Sequence, residues 1–345
     1  MKRAAEHIIL LFLLAGTGSC FAQDLHFSQY FNAPLLINPA NTGFMPDQDY
    51  RVGVNYRNQW SAVGGNPYKT MSAWGDAQLF NNSIETGWVG LGGAILKDVA
   101  GSGNLSSTKG FVSVAYHQLL NANSLLSVGF GLGLSNQRVD LTKLTFDDQW
   151  NGRFFDISIP SNENFVTSSV TYMDLQVGLN YAYFVSDNLY LNAGVSVMHL
   201  NRPRESFFAE TPTGTDQIDR RYTGFINASI KVQDIWIVNP NVYVSKMGNA
   251  WETVLGVNAQ RDLVGDGSTQ LILGLYFRNN DALIPMVGYE VNGLKLTFNY
   301  DATISSLGPA NGTQGAYEFS IVKSGIFGGV GMSGRAVKCP KAVRF

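Results

Sequence analysis

The stretch SLLSVGFGLGLS, residues 124–135, alternates without a break. Leu126, Val128, Phe130, Leu132 and Leu134 fall on one face, and Ser127, Gly129, Gly131, Gly133 and Ser135 on the other. A period of two is the signature of a β-strand, whose successive side chains point to opposite faces. The polar face carries small residues where an open, solvated sheet would carry lysine and glutamate. Glycine and serine suit a crowded or water-filled interior, so a transmembrane barrel explains the stretch better than a β-sandwich with one wet face.

The same alternation recurs along the chain. In YMDLQVGLNYAYFV (172–185), Met173, Leu175, Val177, Leu179, Tyr181 and Tyr183 oppose Asp174, Gln176, Gly178, Asn180 and Ala182. RVGVNYRNQW (51–60) and LYLNAGVSV (189–197) read alike, as do segments near 68–79, 86–99, 106–119, 221–233, 235–247, 250–260, 268–278, 282–291, 293–303 and 315–323. That makes about fourteen strands, many of the ~10-residue length that crosses a bilayer at a tilt. Pro240 and Pro285 fall inside two of them, where bulges or kinks are expected.

Composition fits this reading. Of 345 residues only 14% are charged, against roughly 25% in soluble domains. The formal charge of −2 gives no electrostatic case for nucleic-acid binding, and the low charge argues against disorder. Mean hydropathy of −0.01 is then two opposite faces averaged together, with 37 glycines lying largely on the interior face. Charge is expected to retreat into the connections 138–169 and 201–220 and a basic tail. These long connections, with 304–314, take odd positions in strand order, while tight ones at 121–123, 186–188, 233–234 and 292–293 take even positions. Outer-membrane barrels show this pattern, with short periplasmic turns and long extracellular loops. The expected fold is therefore an all-β transmembrane antiparallel barrel of about fourteen strands with both termini periplasmic.

Lys2 and Arg3 precede the apolar run IILLFLL (8–14), and Ala22 with Cys20 fits a cleavage site. Residues 1–22 read as a secretory signal peptide, the apolar run being too short for a membrane anchor. Cys339 is then the one cysteine left, so no disulfide framework or cysteine metal cluster is expected. No later apolar run reaches 18 residues, which excludes a helical membrane protein. Residues 23–48 form the main non-strand stretch, and Pro34, Pro39 and Pro46 forbid long regular structure there. This segment is expected to plug the periplasmic mouth or the lumen. The barrel should occupy 49–324 and a periplasmic tail 325–345.

Possible chemistry is sparse. His26, His117 and His199 are conceivable general bases, but hydrogen-bonded wall or rim histidines explain them better. Gly329 to Gly334 fits G-x-G-x-x-G with no helix beside it, a chance product of abundant glycine. Asp147-Asp148 reads as a solvated acidic turn before it reads as a calcium site. No catalytic residue, cofactor or metal is assigned.

The chain nevertheless carries a family signature. Gln23, Asp24, Phe27, Ser28 and Gln29 are followed by Pro34-Leu35, by Asn38, Pro39 and Ala40, and by Thr42-Gly43. This resembles the opening of the PorP/SprF family. Gln59-Trp60, Tyr116-His117 with Leu119, Tyr300-Asp301 with Ser305 and Leu307, and a tail with Cys339, Pro340 and Phe345 resemble further family elements. Where the family's last strand often has Ser-His-Glu, this chain has Gly315-Ala316-Tyr317-Glu318. The resemblance implies a non-enzymatic outer-membrane barrel of the type IX secretion system, in contact with membrane lipid, periplasmic ring components and secreted cargo such as gliding adhesins. The competing expectation is a passive or substrate-specific pore like the fatty-acid transport barrels.

Overall fold

The computed structural model describes residues 27–45, 47–61, 67–80, 83–101, 103–163, 165–208, 216–306 and 308–327. The leader 1–22, Gln23, Asp24, His26, the glycine run 329–334, Cys339, Pro340 and Phe345 lie outside them. No helix among the described residues is long and apolar enough to cross a membrane.

Fourteen antiparallel strands close into a barrel. They are β1 (Tyr50–Gln59), β2 (Tyr68–Leu79), β3 (Gly87–Ala100), β4 (Leu105–Asn121), β5 (Ser124–Arg138), β6 (Ser169–Ser186) and β7 (Leu189–Met198). There follow β8 (Arg221–Val232), β9 (Trp236–Met247), β10 (Ala250–Asp262), β11 (Thr269–Arg278), β12 (Ala282–Val291), β13 (Leu294–Thr303) and β14 (Gln314–Gly325). Each strand pairs with its sequence neighbours, and β1 closes on β14 from Tyr50↔Gly325 to Gln59↔Ala316. Closure leaves no unpaired edge, the condition for a sheet in hydrocarbon. The strands match the periodicity reading within a few residues.

The burial is inverted relative to a soluble protein. On β5, Phe130 and Leu134 are 59% and 62% exposed, while Ser127 and Ser135 are buried. The outward apolar face is a lipid surface and the inward polar face lines a lumen. On the hairpin β9–β10 this face is bracketed by two cross-strand cation–aromatic pairs. Arg261 lies over Trp236 at 5.6 Å near one end, and Lys246 over Trp251 at 5.0 Å near the other. Ten residues at ~3.3 Å rise and ~40° tilt separate the two levels by about 25 Å, the height of an apolar band.

Pro240 and Pro285 produce no bulge. Each stays in register on one side, opposite Val257 and Leu275. On the other side the pairing lapses and resumes in register, from Asn227↔Asn241 to Ile230↔Val238 and from Leu283↔Ala302 to Met286↔Asn299. In an antiparallel strand a residue's N–H and C=O face the same neighbour, so a proline disturbs one ladder only. The register shifts fall instead at Leu119/Asn121, Phe184/Ser186 and Asp301/Ala302.

Tyr50 and Gly325 share the end of the barrel that carries the even-numbered turns, with 122–123 and 187–188 among them. The connections 139–168, 199–220 and 304–313 lie at the other end. From Tyr50 the preceding chain turns into the lumen. Three 3-10 turns carry it, at Tyr30–Asn32, Pro34–Leu36 and Pro39–Asn41, and the second and third begin on proline, which lacks the N–H a first turn leaves unused.

Candidate functional site

The N-terminal segment runs the length of the lumen, and its partners mark the path. Gly43 and Met45 meet Gln78 and Trp88 beside the β2–β3 turn. Ser28 meets Arg57, Arg278 and Asp301, close to the connections at the opposite end.

The loop-end contact is a cluster of ion-paired wall residues that holds the neutral segment by hydrogen bonds. The Ser28 hydroxyl donates to Asp301 Oδ2 at 2.7 Å and accepts from one guanidinium nitrogen of Arg57 at 2.7 Å and one of Arg278 at 3.0 Å. Glu318 accepts the backbone N–H of Ser28 at 2.7 Å and of Gln29 at 3.0 Å. Arg57 pairs with Asp301 at 3.1 Å and with Glu318; Arg278 pairs with Asp301 and, at 2.6 Å, with Asp281. Arg57, Arg278, Asp301 and Glu318 are all buried. Each buried charge has an opposite partner, and the cluster's further hydrogen bonds reach Ser28 and Gln29 of the segment as well as Gln59 and Asn299 of the wall, as buried charge requires.

Further along, Gln29 hydrogen-bonds Asn299, Asn32 and Thr297. Tyr30 stacks on Tyr243 at 4.8 Å and donates to Asn241 at 2.7 Å, and Phe31 stacks on Tyr276 at 5.3 Å. Asn38 accepts from the Ala40 N–H at 2.8 Å, capping the third turn, and donates to the carbonyls of Leu179 and Val195 at 2.9 and 3.2 Å.

Here the interior glycines find their purpose. A Cβ on Gly178 would stand 1.9 Å from Asn38 Oδ1, and one on Gly129 would stand 2.3 Å from the Ala40 nitrogen. Both strands lack side chains where the segment's backbone presses against the wall. Gly43, at φ +68°, turns the chain in the left-handed region, and a Cβ on it would stand 2.4 Å from the Gly90 Cα. Its N–H donates to Asp76 Oδ2 at 2.7 Å, and its carbonyl accepts from Trp88 Nε1 at 2.8 Å.

His117 sits in the wall on β4, and His199 lies just past the end of β7. His117 Nε2 lies 2.8 Å from the Thr42 carbonyl, which can only accept, so this nitrogen donates there, and Nδ1 lies 2.7 Å from the Ser127 hydroxyl. Trp88 stacks on the same ring at 4.9 Å. His199 lies 3.0 Å from Asp174, also buried. Asp148 accepts the Asn162 N–H within its loop. Among the described residues no three His, Cys, Asp or Glu side chains stand where they would share a metal ion.

Of the signature residues, Phe27, Ser28, Gln29, Asn38, Pro39 and Ala40 are buried, and Gly43 is fixed by Asp76 and Trp88. Two resemblance elements far apart in sequence, around Ser28 and around Tyr300-Asp301, prove to be one contact. Glu318, in the stretch where this chain departs from the family's last-strand run, is the acceptor of two segment amides. Periodicity placed Arg51 and Arg57 on the interior face but offered nothing about their partners. The expectation that charge retreats to loops and tail is corrected: Arg57, Asp76, Asp174, Arg221, Arg278, Asp301 and Glu318 are buried on inward strand positions.

At the loop end, the connections 139–168 and 199–220 touch. Phe165 packs on Phe208 at 4.7 Å, and Val166 donates to the Phe207 carbonyl at 3.0 Å. Ile157 and Phe154 stand 74% and 56% exposed on this platform. The Thr142 hydroxyl on Asp140 and the Ser158 hydroxyl on Asp156 hold these carboxyls below the usual range, so both stay ionised at the rim.

A closed fourteen-strand barrel with a lipid-facing apolar band and an occupied lumen defines an integral membrane protein of the outer-membrane type. The chain belongs to the PorP/SprF family of type IX secretion system membrane proteins, whose model matches residues 19–322. Its place is the outer membrane of a Gram-negative bacterium. No curated protein matches the chain. Among solved structures it is similar to the toluene transporter TbuX of Ralstonia pickettii, at 11% identity and a TM-score of 0.49, over 84% of this chain and 92% of that one. The CymD monoaromatic hydrocarbon channel aligns at 9% identity and a TM-score of 0.48, over 90% of this chain and 95% of that one. The KdgM porin aligns at 10% identity and a TM-score of 0.36, over 79% of this chain and 98% of that one.

Proposed function

We propose that this protein is a non-enzymatic accessory of type IX secretion that anchors specific exported cargo, such as gliding adhesins, at the cell surface. The observation that carries this reading is the filled lumen. Residues 27–45 occupy it from the even-turn end to the loop end, fixed by hydrogen bonds to buried ion-paired wall residues and by close glycine contacts, so the barrel acts as a plugged anchor and not as a conduit. The even-numbered turns and the tail 325–345 face the periplasm and meet the secretion ring. The joined loops 139–168 and 199–220 face outward and meet cargo with exposed aromatics and a charged rim.

Affinity purification of the tagged protein from detergent-solubilised membranes, followed by mass spectrometry, tests this. The expected result is recovery of a large surface adhesin or of ring components, with little solute flux through liposomes carrying the purified protein. Flux at porin levels with no recovered cargo would favour the pore reading instead.

A further inference from the structure

The outer wall carries a dent. β8 presents Tyr222, Gly224 and Ile226 to lipid, and Gly224 has no side chain to fill its row. A Cβ built there would find its nearest neighbour, the Gly194 carbonyl, 3.9 Å away, so the space above it is open. Gly224 stands between Val195 of β7 and Val244 of β9 in the cross-strand row. The dent widens into a groove of about 590 Å³ walled by Val177, Leu179, Val195 and Val244, continuous with a second of about 540 Å³ towards Ile226 and Val242.

One row nearer the loop end, three residues stand side by side. Tyr222 pairs with Lys246, and Lys246 pairs with Trp251. Tyr222 and Trp251 are 49% and 61% exposed, and the Lys246 ammonium lies 5.0 Å over the Trp251 ring. The row supplies an ammonium, a phenol and an indole N–H at the upper edge of the apolar band. An ammonium at that level attracts an anionic headgroup, and aromatic rings settle at the same interface.

We propose that this groove is a binding site for a phosphorylated glycolipid of the outer leaflet. One acyl chain lies in the dent over Gly224, and a phosphate meets Lys246 between Tyr222 and Trp251. The outer-leaflet assignment rests on the loop end facing outward, which the labelling measurement described below reads separately; the binding itself does not depend on it. The shape supplies a place for a chain, and the cation above it supplies charge complementarity for the head.

The test is native mass spectrometry of the full-length purified barrel titrated with diphosphoryl lipid A and, in parallel, with phosphatidylethanolamine. Retention of lipid A over phosphatidylethanolamine is expected. Lys246→Gln should weaken lipid A binding about fivefold, the contribution of one interfacial cation. Gly224→Leu should weaken it about tenfold, by displacing roughly two buried methylenes. Both changes lie on the lipid face, and heat-modifiable migration on gels confirms that the barrel is intact. Equal binding of lipid A by the wild type and both variants, or no preference between the two lipids, overturns the proposal.

Discussion

The Ser28 hydroxyl donates to Asp301 Oδ2 at 2.7 Å across 273 residues of sequence. Ser28 belongs to the segment inside the barrel and Asp301 to β13 in its wall. This contact ties the opening signature to the strands and makes the lumen a built interior with its own buried chemistry.

Ser28→Ala removes the group that both guanidinium groups and one carboxylate share. The loss of a buried hydrogen bond with its partners left in place costs about 1–3 kcal/mol. A urea unfolding series on the refolded barrel should show a lower midpoint with an unchanged slope.

Glu318→Ala should cost more. It strips two segment amides of their acceptor and leaves Arg57 with Asp301 as its remaining carboxylate. Breaking a buried ion pair from one side costs about 3–5 kcal/mol. The same urea series should place this variant below Ser28→Ala. The reverse order would show that the hydroxyl, and not the carboxylate, anchors the segment.

Gly178→Val drives a branched side chain into the space of Asn38. The wall is fixed by ladders on both sides, so the segment is the part that yields. Planar-bilayer recordings should show an intact barrel with fluctuating conductance, whereas Gly110→Val, where a Cβ would meet nothing within 4 Å, should stay closed.

Orientation is readable by cysteine labelling. In a Cys339→Ser background, Gly152→Cys in the loop 139–168 should react with a membrane-impermeant maleimide on intact cells. Ala122→Cys, in the exposed turn between β4 and β5, should react after permeabilisation. The opposite pattern would invert the barrel and displace the cargo platform to the periplasm.

The strands were legible because their signal is local. Leu126 to Leu134 reveal an outward face with no knowledge of any other strand. The luminal contacts are not local. Arg57 reads as an inward residue from its place in β1, but its partners Asp301 and Glu318 lie hundreds of residues away, and periodicity does not encode register. The interior glycines were legible as a crowded face, yet only the path of Asn38 and Pro39 explains why Gly129 and Gly178 stand where they do. Charge was misplaced for a related reason: an inward charge is excluded from lipid but tolerated in a lumen that supplies its partner.

The central claim is that residues 27–45 close the barrel. Its most direct test is the conductance of the purified protein in planar bilayers, wild type against a variant lacking residues 24–45. The expected result is a silent wild type and a deletion variant that folds and conducts. A folded deletion variant that remains silent, or a wild type that already conducts, would contradict it.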